Sequence, residues 1–240
     1  PAGWCFKTYS YNGGADLAAG ELTLALSLNL FEGSTGCHAW EAGFFLAEFV
    51  LSKRGLFRGR RCLELGSGPG TVGVALVRAG AAQVSLTDGD ADTVENACRN
   101  MGLNGAGGGD VGVSCEELRW EAPGRVEADV VLGADLLYDP GVIPDLVRLI
   151  SHARDPAGAP AEALIATAVR NEATLAKFLA AAGAASLEVE DLSEEARGVL
   201  EQGGSTLERA DSAIGSAERY VTDQLGPATE QLRRSVADIE

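Results

Sequence analysis

A strand, a glycine turn and a helix follow one another between Arg61 and Ala79, and few folds accommodate that succession. Arg61 to Leu65 is an apolar run with strand character. It stops in Gly66-Ser67-Gly68-Pro69-Gly70, and Val72, Ala75, Leu76 and Ala79 then recur at helical spacing. Such a turn lets backbone N–H groups approach a ligand closely. A second apolar run, Val84 to Thr87, ends in Asp88, 18 residues past Gly70. An acid at the tip of the second strand is placed to hold a ribose diol. Together these features imply a parallel α/β sheet that binds a nucleotide-like cofactor.

Two glycine registers are available. Gly68-Pro69-Gly70-Thr71-Val72-Gly73 satisfies the dinucleotide pattern G-x-G-x-x-G. Glu64-Leu65-Gly66-Ser67-Gly68-Pro69-Gly70 satisfies the acid-x-G-x-G-x-G loop of enzymes that use S-adenosylmethionine (SAM). A dinucleotide turn should begin where the strand ends, and Gly66 rather than Gly68 occupies that place. Glu64 also sets a carboxylate beside the loop, which repels a pyrophosphate and suits a cation. SAM carries an ammonium and a sulfonium and no phosphate, so the residues favour SAM over NAD(P).

The 240 residues are within reach of one large α/β domain, and 46% hydrophobic content supports a sizeable core. No run of 18 apolar residues occurs, so no membrane span is expected. A net charge of −16 disfavours nucleic acid and anionic lipid as partners. The five cysteines, Cys5, Cys37, Cys62, Cys98 and Cys115, are scattered and form no C-x-x-C, which points to a reduced, cytoplasmic setting. Two histidines, His38 and His152, without clustered cysteines argue against a zinc site.

Along the chain, residues 1–38 read as an extension, irregular and glycine-rich to position 21 and then a strand over 22–30. The main domain is expected over 39–195. It opens with a helix over 39–53, on which Trp40, Phe44, Ala47, Val50 and Leu51 form a stripe. After the first two strands come a helix from about Asp90 to Met101 capped by Asp90, a third strand over 111–118 and a fourth over 128–134. A helix over 142–150, a fifth strand over 163–168, a helix over 173–182 and a sixth strand over 187–192 complete the pattern. Strands alternating with helices at this spacing predict a doubly wound, Rossmann-like sheet. Residues 196–240 change character. Leu200, Leu207, Ile214, Val221, Leu225, Leu232 and Ile239 step by seven or four, as on an amphipathic helix, and half of the chain's net charge lies in 187–240. This tail is read either as a coiled-coil or docking helix that mediates protein interaction, or as an amphipathic helix that lies on its own domain or is partly disordered.

Three further segments complete a family pattern: Gly33-Ser34-Thr35-Gly36-Cys37-His38-Ala39-Trp40-Glu41-Ala42, Leu118-Arg119-Trp120 and Gly133-Ala134-Asp135-Leu136-Leu137-Tyr138. With Glu64–Gly70 and Asp88, over roughly residues 22–192, the chain resembles the seven-β-strand SAM-dependent protein-lysine methyltransferases that carry a D-x-x-Y motif. The G-x-x-x-W-x-A opening followed by Phe45-Leu46-Ala47-Glu48 is most similar to the branch acting on eukaryotic elongation factor 2. The resemblance implies a seven-strand sheet, although no run after Leu192 supplies the seventh strand and the helical tail stands in its place. It implies lysine methylation of a protein substrate, elongation factor 2 by analogy. It further implies cofactor contacts from Trp40, Gly66, Ser67, Gly68, Asp88, Trp120 and Ala134, to which the acid-glycine loop adds Glu64 and Gly70. Trp120 could flank an adenine, and Trp40 could close the pocket.

Asp135 and Tyr138 are the candidate catalytic pair, beyond the C-terminal end of the fourth strand, with Asp139 as the nearest competitor. Asp135 is expected to hold and orient a lysine ammonium, and Tyr138 to supply a cation–π wall or a hydroxyl. A methyltransferase for a small molecule or another protein residue, an NAD(P)-dependent oxidoreductase and a non-catalytic interaction protein are the alternatives.

Overall fold

A computed structural model describes residues 3–11, 17–28, 35–106, 111–194 and 196–198. The chain divides into two units, Pro1–Leu207 and Glu208–Glu240. The tail from 199 onward, with its heptad-like seam, lies outside the described residues, and so does residue 195.

The first unit opens with a hairpin, β1 (Trp4–Tyr11) and β2 (Gly20–Ser27), antiparallel with Thr8 opposite Thr23. β1 corrects the reading of residues 1–21 as irregular. Tyr9 and Tyr11 face the core while Thr8 and Ser10 face solvent, an alternation that the neighbouring glycines obscure in the sequence. The helix α1 (Glu41–Ser52) leads into β3 (Arg61–Leu65), α2 (Thr71–Ala79), β4 (Gln83–Asp88), α3 (Ala91–Leu103), β5 (Gly112–Glu117), β6 (Val130–Ala134), α4 (Ile143–His152), β7 (Glu162–Ala166) and α5 (Glu172–Ala184). α3 starts where expected: the Asp90 carboxylate accepts the Thr93 N–H at 2.8 Å.

β3 to β7 form one parallel sheet in the order β5-β4-β3-β6-β7. The order reverses between β3 and β6, and a crevice opens there beyond the carboxyl ends of those strands. Successive residues of β3 serve opposite faces. Cys62 joins a core with α1, α2, α3 and the hairpin, whereas Leu63 and Leu65 join a second core with Val131 of β6 and Leu146, Leu149 and Ile150 of α4. Each fully buried leucine contributes about 1.5–3 kcal/mol.

The expected sixth strand is not formed. Residues 187–192 pair with no strand among the described residues, and β7 is paired only to β6. Leu187 packs on the second core, but Glu188 and Glu190 alternate with a Val189 that is 54% exposed, so the segment has no continuous apolar face to hold it against a sheet.

The hairpin is held by side-chain amides of α3. Asn104 accepts the Thr23 N–H at 2.8 Å and donates to the Thr23 carbonyl at 2.7 Å. Asn100 accepts the Ala25 N–H at 2.7 Å and donates to the Ala25 carbonyl at 3.2 Å, and Asn96 donates to the same carbonyl at 3.1 Å. The Asn100 amide also donates to the Pro69 carbonyl at 2.8 Å, tying the glycine loop to the hairpin.

Candidate active site

β3 ends at Leu65 and the chain turns through three left-handed glycines, Gly66 (φ +58°), Gly68 (φ +53°) and Gly70 (φ +81°). A Cβ on Gly66 would lie 2.6 Å from Leu136 Cδ2 and 3.7 Å from the Trp120 ring, and one on Gly68 would lie 3.1 Å from the Gly36 carbonyl. Gly70 is turned the other way, toward Leu86 and Ala97 of the core, and serves as N-cap of α2. Asp88 pins the loop from behind. Its Oδ2 accepts the Gly68 N–H at 3.2 Å and its Oδ1 accepts the Asp90 N–H at 3.2 Å.

An open cleft of about 310 Å³ lies over this loop, lined by Trp40, Glu64, Gly66, Ser67, Gly68 and Ala134. The fold thus brings together six of the residues singled out in the sequence, from α1's N-terminal flank, β3, the loop and the end of β6. His38, Gly43, Thr71 and Val72 also line it. Gly43, Thr71 and Val72 carried no chemical signal of their own, and His38 was weighed in the sequence only as a zinc ligand. Trp120 stands on the far side of Gly66, packed on the second core, with its carbonyl held by Arg148 at 3.3 Å.

The electrostatics of the cleft centre on Glu64. Its side chain is 2% exposed beneath the first turn of α2, and burial pushes its carboxyl up to about 8. The Gly73 N–H opposes that rise, and the charge of Asp88 adds to it. Glu64 Oε2 and Ser67 Oγ are buried without a hydrogen-bond partner among the described residues. Two orphaned acceptors in a cleft are costly unless a donor or cation meets them. Burial also raises Asp88, against the lowering N–H groups of Gly68, Asp90 and Gly89. These residues fit SAM: the acid for a cation, the glycine cradle for close approach and Asp88 for a diol. A pyrophosphate at the start of α2 would instead face a buried acid.

Beside the cleft, β6 ends in Ala134 and the next residue, Asp135, takes φ +58°. A left-handed aspartate is tolerated at some cost and is held here by its N–H, which donates to the Ala166 carbonyl at 2.7 Å. The Asp135 side chain is 9% exposed, and Oδ2 receives Arg170 Nη2 at 2.6 Å. The same guanidinium lies 5.7 Å from the centre of the Trp40 ring. Arg170 escaped the sequence reading. Its signal was a cation just past the carboxyl end of the strand next to β6. Tyr138 is 72% exposed at the rim, its hydroxyl raised by partial desolvation and then by the charges of Asp88 and Asp139. Asp139 accepts the Gly141 N–H at 2.7 Å, so the competitor of Asp135 is occupied in a turn. Leu136, also unremarked in the sequence, is 3% exposed and fills the space that side chains on Gly66 and Gly133 would need.

Known proteins resemble this chain in sequence and in fold. The protein-lysine N-methyltransferase EFM3 of Chaetomium thermophilum is 34% identical over 193 residues, which are 75% of this chain and 57% of that protein. The human protein-lysine N-methyltransferase EEF2KMT is 30% identical over 208 residues, 79% of this chain and 62% of that protein. The chain therefore spans about three fifths of the length of these relatives. The solved structure of SMU.776 complexed with S-adenosylhomocysteine has the same fold, with a TM-score of 0.51 at 12% identity over 70% of this chain and 45% of that one. The sequence profile described as lysine methyltransferase matches residues 20–183, and the chain belongs to that family.

Proposed function

We propose that this chain is the catalytic part of a SAM-dependent protein-lysine N-methyltransferase of the cytoplasm, with elongation factor 2 as its substrate. The observation that carries the reading is Asp135. It is a mostly buried carboxylate in a left-handed conformation at the switch point of the sheet, next to a cleft whose buried acid suits a sulfonium cofactor. The names of the EFM3 and EEF2KMT relatives support lysine as the acceptor, and the second supports elongation factor 2.

When bound, SAM supplies an electrophilic methyl group on a positive sulfur. With SAM held by the glycine loop, Glu64 and Asp88, its methyl would go to the lone pair of a neutral lysine amine while sulfur kept the bonding electrons, and the methylated ammonium would then release a proton to solvent. The lysine must be neutral to attack, which near neutrality costs about 4 kcal/mol from a reference pKa of about 10.4. Asp135 draws the ammonium in and fixes its direction. Its charge opposes deprotonation, so it is an orienting group rather than a base. Trp40 closes the cleft against water, and Ala134 leaves room for the methyl to pass.

Tritiated SAM added to elongation factor 2, and separately to a whole-cell lysate, tests this reading. The wild-type chain labels one band that comigrates with elongation factor 2. Asp135→Asn, whose amide tolerates the same backbone conformation, abolishes labelling while calorimetric SAM affinity stays within about threefold. Labelling that survives in the variant, or SAM affinity that falls in step with turnover, refutes it.

A further inference from the structure

Arg170 brings a positive charge to the carboxylate assigned to the substrate. Its Nη2 sits 2.6 Å from Asp135 Oδ2, and its guanidinium stacks 5.7 Å from the centre of the Trp40 ring. An aromatic face and an acid converging on one cation is the arrangement that a lysine ammonium seeks. The Asp135 side chain is only 9% exposed, which leaves little room for a second cation. Arg170 has 55% of its own side chain exposed and hangs from the segment between β7 and α5, so it can leave toward solvent.

We infer that Arg170 is the specificity-determining residue of the acceptor subsite: its guanidinium occupies the place of the target ammonium, and a lysine enters by exchanging with it on Asp135. The inference rests on Asp135 as the lysine-binding carboxylate. Only the Arg170 side of the ion pair is open to solvent, and an incoming ammonium takes over the buried carboxylate as the guanidinium leaves, so the exchange is within reach of a protein substrate that docks over a wide surface. A free amine has no such surface to draw on. Arg170 thereby selects lysines presented by a protein and rejects small alkylammonium ions.

n-Butylammonium chloride, a mimic of the lysine side chain, tests this when titrated into the full chain with S-adenosylhomocysteine present and ionic strength held by sodium chloride. The Trp40 indole N–H resonance reports occupancy. Arg170→Met is expected to bind n-butylammonium about tenfold more tightly than wild type, a difference of about 1.4 kcal/mol. Arg170→Gln should do the same and stands in should the Met variant fold poorly, while Arg170→Lys keeps the wild-type affinity. Adding Asp135→Asn to Arg170→Met should erase the gain. Affinity in Arg170→Met and Arg170→Gln equal to or below wild type, with Asp135→Asn still weakening binding further, overturns the exchange and leaves the role of Asp135 standing. Binding in Arg170→Met that is indifferent to Asp135→Asn overturns both.

Discussion

Replacing Glu64 with glutamine should stabilise the protein, and the gain should grow with pH. Glu64 is 2% exposed and its carboxyl is pushed from 4.5 up to about 8. Between those two values the unfolded chain has released the proton while the folded chain retains it. Stability conferred by the protonated acid is therefore complete below about pH 4.5 and is lost as pH rises through about 8. The slope is about 1.36 kcal/mol per pH unit. By pH 7 the accumulated penalty is about 3 kcal/mol, and by pH 8 it approaches about 5 kcal/mol. Glutamine has the same shape and does not titrate, so Glu64→Gln escapes the penalty. Its two N–H donors beside the Gly73 N–H add a constant offset that does not vary with pH. Urea denaturation of both proteins from pH 5 to pH 9 isolates the effect, because titrating groups not coupled to Glu64 cancel in the difference. The difference should rise steadily to about pH 8 and then level off. A flat difference across the range would refute the argument that Glu64 is held neutral by burial. The same substitution should weaken SAM binding. In the wild type, affinity should increase from pH 6 to pH 8 with proton release on binding, and Glu64→Gln should lose that dependence.

Gly66→Ala adds a methyl 2.6 Å from Leu136 Cδ2 at a φ of +58° and should cost about 2–3 kcal/mol in thermal denaturation. Leu136→Ala in the same chain should recover the clash but not the backbone strain. Asn100→Ala removes the side-chain partners of the Ala25 N–H and the Pro69 carbonyl, at about 1 kcal/mol each, and leaves the Ala25 carbonyl with Asn96 alone. Its hydrogen exchange should accelerate in the hairpin well before it does in β3 and β4. Asp88→Ala frees the Gly68 and Asp90 N–H groups and should lower SAM affinity at least tenfold by calorimetry while the far-ultraviolet circular dichroism holds.

The parallel strands were legible because each is a short apolar run bounded by turn residues. β3 spans the expected 61–65, and the expected 128–134 contains β6. The glycine loop and Asp88 were legible because their chemistry lies within one strand–turn–helix unit. What lay beyond reach depended on contacts across the chain. Lys7 and Thr8 between aromatics do not announce a strand until β2 pairs with them. Leu187 to Leu192 alternates like a strand, but alternation without a partner does not make a sheet. Arg170 lies 35 positions from Asp135, and only the adjacency of β6 and β7 brings the two together. Asn96, Asn100 and Asn104 do repeat every fourth residue, a signal that was present and went unused because asparagines on a helix usually read as a solvated face.

Those asparagines stand in for a neighbouring strand. Four residues of helix rise about 6.0 Å, and two residues of strand advance about 6.6 Å, so carboxamides on successive turns meet alternate peptide groups with little mismatch. Sliding β2 by one position would turn its outward N–H and C=O groups away from the amides, which fixes the ribbon in one alignment. Because Asn100 also grips Pro69, removing the ribbon would strip the three amides of their strand partners and slacken the wall of the cleft. The β1–β2 ribbon is therefore no dispensable appendage: losing it erodes the centre of the fold.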